Sequence, residues 1–192
     1  MNDAGCFRIA ALVLGLVLTG TAAAETVQPG QRWAFAPNAG WLDARPLGAD
    51  GPGLHAADGM IRGWLYAANV GWISAHCLNT ASCSRVEYGL RLEPIPEQPE
   101  LLRLVGRLWS PNAGWITAHC RTSASCAQVD YGLFVDIESG LIDGFAWSEN
   151  FGWISFSCAN TESCGNAIYG VGLVPEAIVP VVASVFSDGF ES

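Results

Sequence analysis

One passage occurs three times in this chain, and it constrains the fold more than any other feature. The copies are Gly71-Trp-Ile-Ser-Ala-His-Cys77, Gly114-Trp-Ile-Thr-Ala-His-Cys120 and Gly152-Trp-Ile-Ser-Phe-Ser-Cys158. Each runs through five residues to a second cysteine, at Cys83, Cys126 and Cys164, and then to Tyr88-Gly89, Tyr131-Gly132 and Tyr169-Gly170. An asparagine stands two residues before each Gly-Trp (Asn69, Asn112, Asn150), with an aromatic residue three before it (Tyr66, Trp109, Trp147). A fourth, degenerate copy keeps Phe35, Asn38, Gly40 and Trp41 but has no cysteine loop, and Gly53-Leu54 stands for its Tyr-Gly-Leu. The asparagines lie 31, 43 and 38 residues apart. A fixed period of this length marks a repeat architecture in which neighbouring units bury one another's apolar faces.

Each unit reads as strand, tight turn, strand, bridged loop, strand. Tryptophan, isoleucine, valine and tyrosine dominate the strand positions, and no helical period stands out beyond the first residues. The fold class expected is therefore all-β: an antiparallel repeat protein of about four units of roughly forty residues. The units fall near 31–61, 62–104, 105–142 and 143–174. A solenoid, a sandwich and a propeller-like or trefoil-like closure all accommodate them. The longer spacing between the second and third asparagines lies in Glu93-Pro-Ile-Pro-Glu-Gln-Pro-Glu100, a stiff, exposed connection.

The turn decides which side chains share a face. In Ser110-Pro-Asn-Ala-Gly-Trp115, proline presets one φ and glycine accepts the left-handed region. Read as a four-residue loop, it sets Trp109 opposite Ile116. One face then carries Trp109 with Ile116, Tyr66 with Ile73, Trp147 with Ile154 and Phe35 with Leu42, extended by Trp33, Trp64, Phe145 and Phe156. This is the expected core. The other face carries Trp41, Trp72, Trp115 and Trp153, ringed by Leu108 and by small or hydroxyl side chains such as Ser110 and Ser148. A loop of odd length would place both aromatics of a hairpin on one face.

Residues 1–24 read as a secretory leader. Arg8 precedes an apolar run from Ile9 to Leu18, and Thr21-Ala22-Ala23-Ala24 supplies the small residues of a cleavage site before Glu25. The run is far short of the ~20 residues that cross a bilayer. No later segment reaches that length, so no transmembrane segment is expected after leader removal. Cys6 leaves with the leader, and six cysteines remain.

An even cysteine count in an exported chain favours disulfides. The pairs expected are Cys77–Cys83, Cys120–Cys126 and Cys158–Cys164, each worth about 2 kcal/mol by the chain-entropy account. His76 and His119 before two of the loops invite a zinc reading. Ser157 breaks that pattern, and structural zinc sites space their cysteines two to four residues apart. No metal and no cofactor are expected.

The charge is -9, with 18 acidic residues against nine arginines and no lysine. Such a chain repels phosphate backbones, so no nucleic-acid partner is expected. What recurs is architectural: glycine, asparagine, aromatics and cysteine. His55, Asp43 and Asp143 form no nucleophile–base arrangement, and the carboxylates at Glu87 and Asp130 give way to Ile168 in the last unit. The asparagines suit turns. That leaves Trp41, Trp72, Trp115 and Trp153 as candidate binding residues. They either stack on a ligand such as a sugar ring or pack beneath the bridged loops, the commoner fate of large aromatics.

The segment Asp143-Gly-Phe-Ala-Trp-Ser-Glu-Asn-Phe-Gly-Trp-Ile-Ser155 resembles a repeat of uncharacterised exported bacterial proteins that carry Gly-x-Ala-Trp-Ser-x-Asn-x-Gly-Trp-Ile in several copies. The resemblance covers the four hairpins and implies an exported setting without implying an activity. The cysteine loops depart from it. The ending Val185-Phe-Ser-Asp-Gly-Phe-Glu-Ser192 is similar to Phe-x-Asp-Gly-Phe-Glu tails of exported Gram-negative proteins, which implies a sorting signal within 175–192. The reading is a non-catalytic β-repeat protein, secreted, periplasmic or at the cell surface of a Gram-negative bacterium. Its role is structural or binding, with a glycan or another surface protein as partner. The alternatives are a secreted hydrolase whose carboxylates converge in the fold, and a subunit of a surface assembly.

Overall fold

The computed structural model describes residues 26–48 and 51–178. The leader at 1–24 and the tail motif at 185–192 lie outside the described residues. Thirteen strands run in the order β1 (Val27–Ala36), β2 (Gly40–Asp43), β3 (His55–Ala57), β4 (Met60–Arg62), β5 (Trp64–Ala67), β6 (Gly71–Ser74) and β7 (Leu90–Pro94). They continue with β8 (Leu101–Ser110), β9 (Gly114–Thr117), β10 (Leu133–Asp136), β11 (Leu141–Ser148), β12 (Gly152–Ser155) and β13 (Val171–Leu173). Among the described residues helix is confined to short turns, such as Cys77–Thr80 and Cys120–Ser123. None is long and apolar enough to cross a membrane.

The four repeated hairpins close into an eight-stranded antiparallel barrel. They are β1/β2, β5/β6, β8/β9 and β11/β12. Each pairs with the next through β2–β5, β6–β8, β9–β11 and β12–β1, so the circle has no edge. This resolves the closure that the repeat left open. A second tier lies below, in the order β3-β4-β7-β8-β10-β11-β13-β1, with β8, β11 and β1 running through both tiers. Its two ends meet at the Thr26 hydroxyl, which donates to the Leu54 carbonyl and accepts the Ala56 N–H.

The chain passes between tiers at Gly63, Gly106 and Gly144, with φ of +85°, +111° and +96°. A Cβ at each would stand about 2 Å from the carbonyl oxygen of Gly53, Gly89 or Gly132, the glycine that closes the preceding loop. The degenerate unit obeys the same rule, so Gly53-Leu54 does take the place of Tyr-Gly-Leu. The Leu54 N–H donates to Ala44 O just as the Leu90 N–H donates to Ala75 O.

The hairpin loops have three residues, not four. Ser110 pairs with Gly114, Trp109 with Trp115 and Leu108 with Ile116, and Gly114 sits at φ +67°. A three-residue loop closed by a left-handed glycine is a common hairpin connection. Its odd length overturns the expected sorting. Trp109, Tyr66, Trp147, Phe35, Trp33, Trp64 and Phe145 are not core residues; those with a hairpin tryptophan opposite them share its outer face. The inside belongs to Leu42, Leu65, Ile73, Leu108, Ile116 and Ile154, with Ala34 and Ala146 completing that layer. Ser110 and Ser148 are fully buried near the hairpin tips. The physical reason is size. Eight strands enclose just enough room for aliphatic side chains, and four indoles do not fit.

The asparagines clamp the hairpins to one another. Asn69 Nδ2 donates to Ala39 O, Asn112 to Val70 O, Asn150 to Ala113 O and Asn38 to Phe151 O, at 2.8–3.3 Å. Each reaches the loop of the neighbouring hairpin, and the four bonds form a closed ring at one end of the barrel. Ala39, Val70, Ala113 and Phe151 are buried at that end. Their turn preference explains only part of this role. The amide donor adds a contact between units.

Candidate functional site

Expelled from the barrel interior, the aromatics form a girdle around it. Trp115 packs on Trp109 with centroids 4.7 Å apart and meets the edge of Tyr88 at 5.4 Å. Trp153 packs on Trp147 and Tyr131 at 4.6 and 5.1 Å, and Trp41 on Phe35 and Tyr169 at 4.9 and 5.3 Å. Trp72 lies against Tyr66 at 5.1 Å. Despite this packing, Trp41, Trp72, Trp115 and Trp153 remain 44, 39, 36 and 38% exposed. Such packing restrains the indoles, and their faces are partly left to solvent.

The repeated loops hold the tyrosines in place. Disulfides join Cys77–Cys83, Cys120–Cys126 and Cys158–Cys164, as the spacing predicts. The Tyr88 hydroxyl donates to Ser74 Oγ, which donates to His76 O, and Tyr169, Ser155 and Ser157 repeat the relay. Thr117 replaces the serine in the unit between them. There Tyr131 turns to Ser123, with 3.4 Å between the hydroxyls. Asp43 stands at the serine position of the degenerate unit and forms a charged pair with Arg32. That hydrogen bond, offset by burial, raises the Arg32 pKa. Sequence reasoning missed this pair. Its signal was Asp43 following Trp41-Leu42 where the other units carry Ser or Thr.

His76 and His119 are caps, not ligands. Nδ1 of each accepts the N–H of Leu78 or Arg121 at 3.1 Å, opening the short helical turn of its loop. Ser157 Oγ does the same for Ala159. Burial lowers both imidazole pKa values first. Arg62 acts in the same sense on His76, as do Arg103 and Arg121 on His119. The ligand atoms of His76, Cys77 and Cys83 lie within 4.8 Å of one another, as do those of the next loop. Bridged sulfurs offer no thiolate, and Nδ1 is already engaged, so this donor set does not suit zinc.

Two clefts run between adjacent hairpins and are equivalent position by position. The larger, about 590 Å³, has Trp115 and Arg107 from the β8/β9 hairpin and Trp147, Glu149 and Trp153 from β11/β12. Ser123, Ser125, Val129 and Tyr131 of the intervening loop line it too. The smaller, about 340 Å³, has Trp153 and Phe145 facing Phe35, Pro37 and Trp41, with Thr161, Ser163, Ala167 and Tyr169 from its loop. Trp153 therefore lines both. Of the four sequence candidates, Trp41, Trp115 and Trp153 lie in these clefts. Trp72 lines neither of them, nor two others beside His76 and Ile168.

None of these four clefts brings two carboxylates together. Glu149 lines one and Glu87 another. Asp143 pairs across the sheet with Phe134, and His55 with Arg62. No family model, curated protein or solved structure matches the chain.

Proposed function

We propose that this is an exported, non-catalytic β-repeat protein that binds glycans in the clefts of its aromatic girdle. The observation that carries the reading is the exposure of four restrained indoles, three of them beside clefts whose loops present hydroxyl side chains. A sugar ring offers an apolar C–H face and a rim of hydroxyls. Indole faces complement the first, and Ser123, Ser125, Thr161 and Ser163 complement the second. Three disulfides and the leader-like residues 1–24 support export to an oxidising compartment. The tail resemblance favours the periplasm, surface or surroundings of a Gram-negative cell. Among the described residues none of these four clefts holds two carboxylates, which weighs against the hydrolase alternative, since glycoside hydrolysis needs two flanking the scissile bond.

Titration of the oxidised protein with a panel of neutral oligosaccharides, read by tryptophan fluorescence and calorimetry, tests the reading. Binding should be lost in Trp153→Ala, which opens both clefts, and only halved in stoichiometry in Trp115→Ala or Trp41→Ala. A flat response to the whole panel, or a response that survives Trp153→Ala, removes the glycan assignment.

A further inference from the structure

The two equivalent clefts differ in one respect that their shared architecture does not require. Aromatic and hydroxyl positions correspond throughout, with Phe35 standing where the larger cleft has Trp147. Yet Arg107 replaces Phe145, and Glu149 replaces Pro37. The repeat thus turns two apolar positions into two opposite charges lining one cleft, with Arg107 also lining the cleft beside His76. Both side chains are exposed, and neither has a hydrogen-bond or ion-pair partner among the described residues. They do not pair with each other.

We infer that the cleft between β8/β9 and β11/β12 takes a zwitterionic group, an ammonium joined to a phosphate or carboxylate. This rests on reading the girdle as a ligand surface. Trp115, Trp147, Trp153 and Tyr131 supply electron-rich faces for an ammonium, which Glu149 neutralises. The Arg107 guanidinium offers a planar, two-pronged donor to the anionic end. A simple anion would meet Glu149 and a chain of net charge -9, and a simple cation would leave Arg107 unanswered. A ligand carrying both charges satisfies both side chains. The equivalent cleft, with Phe145 and Pro37 at these positions, has no such preference.

Phosphocholine is the probe, compared by calorimetry with choline, inorganic phosphate and a neutral oligosaccharide. Phosphocholine should bind one site per chain and more tightly than either fragment. Glu149→Gln and Arg107→Phe should each weaken it about tenfold or more, the scale of one charge-assisted contact. Ile168→Ala, at an exposed residue that lines neither of the two large clefts, should leave it unchanged. Sedimentation with phosphatidylcholine vesicles separates a lipid headgroup from a soluble or glycan-borne one, and either source fits the shared chemistry. No heat with phosphocholine overturns the inference, and so does unchanged affinity in Glu149→Gln, a nearly isosteric exchange at an exposed site. Neutral glycan bound without phosphocholine leaves the glycan reading standing alone. The reverse removes that reading and keeps this one.

Discussion

The ring of asparagine clamps makes a quantitative prediction. Asn112→Asp preserves shape and the turn preference of the residue, but it removes the Nδ2 donor that lies 2.8 Å from Val70 O. Val70 is buried at the barrel end and this bond is part-buried, so its carbonyl loses a partner that water replaces only in part. An unsatisfied buried acceptor costs about 1–3 kcal/mol, and a carboxylate facing it adds repulsion, so we expect about 2–3 kcal/mol. A domain of this size shifts about 2–4 °C per kcal/mol, so the midpoint should fall by roughly 4–12 °C. Thermal unfolding followed by circular dichroism, with disulfides intact, measures it. Near about pH 3 the carboxyl is protonated and donates in place of the amide. The gap from wild type should then narrow. Equal midpoints near neutrality would falsify the clamp and return the asparagines to a turn role. A gap that persists unchanged in acid would trace the cost to sterics instead.

The cap histidines carry a pH dependence. Folding lowers the pKa of His119, chiefly by burial, so its neutral form contributes stability that is present above the ordinary value of about 6.5 and lost as pH falls through the folded value. His119→Ser installs the cap that Ser157 already provides, and its melting temperature should fall less between neutral and mildly acid pH than that of wild type. Parallel curves would refute the assignment. Gly106→Ala places a methyl 1.9 Å from Gly89 O at φ +111°, so it should cost at least about 3 kcal/mol in urea unfolding, beyond left-handed strain alone. Gly165→Ala, where a Cβ meets nothing within 4 Å, should be nearly neutral in the same assay. Replacing Cys158 and Cys164 together by serine should lower unfolding free energy by about 2 kcal/mol. An unchanged urea midpoint would show that this loop is ordered without its bridge.

Local chemistry was readable residue by residue. The period of the units, the glycine at each turn and the three cysteine pairs followed from short-range patterns, because closing a seven-residue ring or a tight bend involves only neighbours in the chain. The four candidate tryptophans were also found this way, as the aromatic that the repeat places after each turn glycine. What the linear pattern left undecided was the parity of the hairpin loop. Three and four residues differ little in local energy, and alternation permits either, yet one residue exchanges the faces of a whole hairpin. The closed barrel selects three. Its interior has room for Leu108 and Ile116 but not for a ring of indoles, so the tryptophans move outside and become a surface. Cross-unit contacts were hidden for the same reason. Asn112 reaching Val70, Tyr131 bracing Trp153 and Arg107 sharing a cleft with Glu149 all join residues from different units. Only the closing of the sheet on itself brings them within reach.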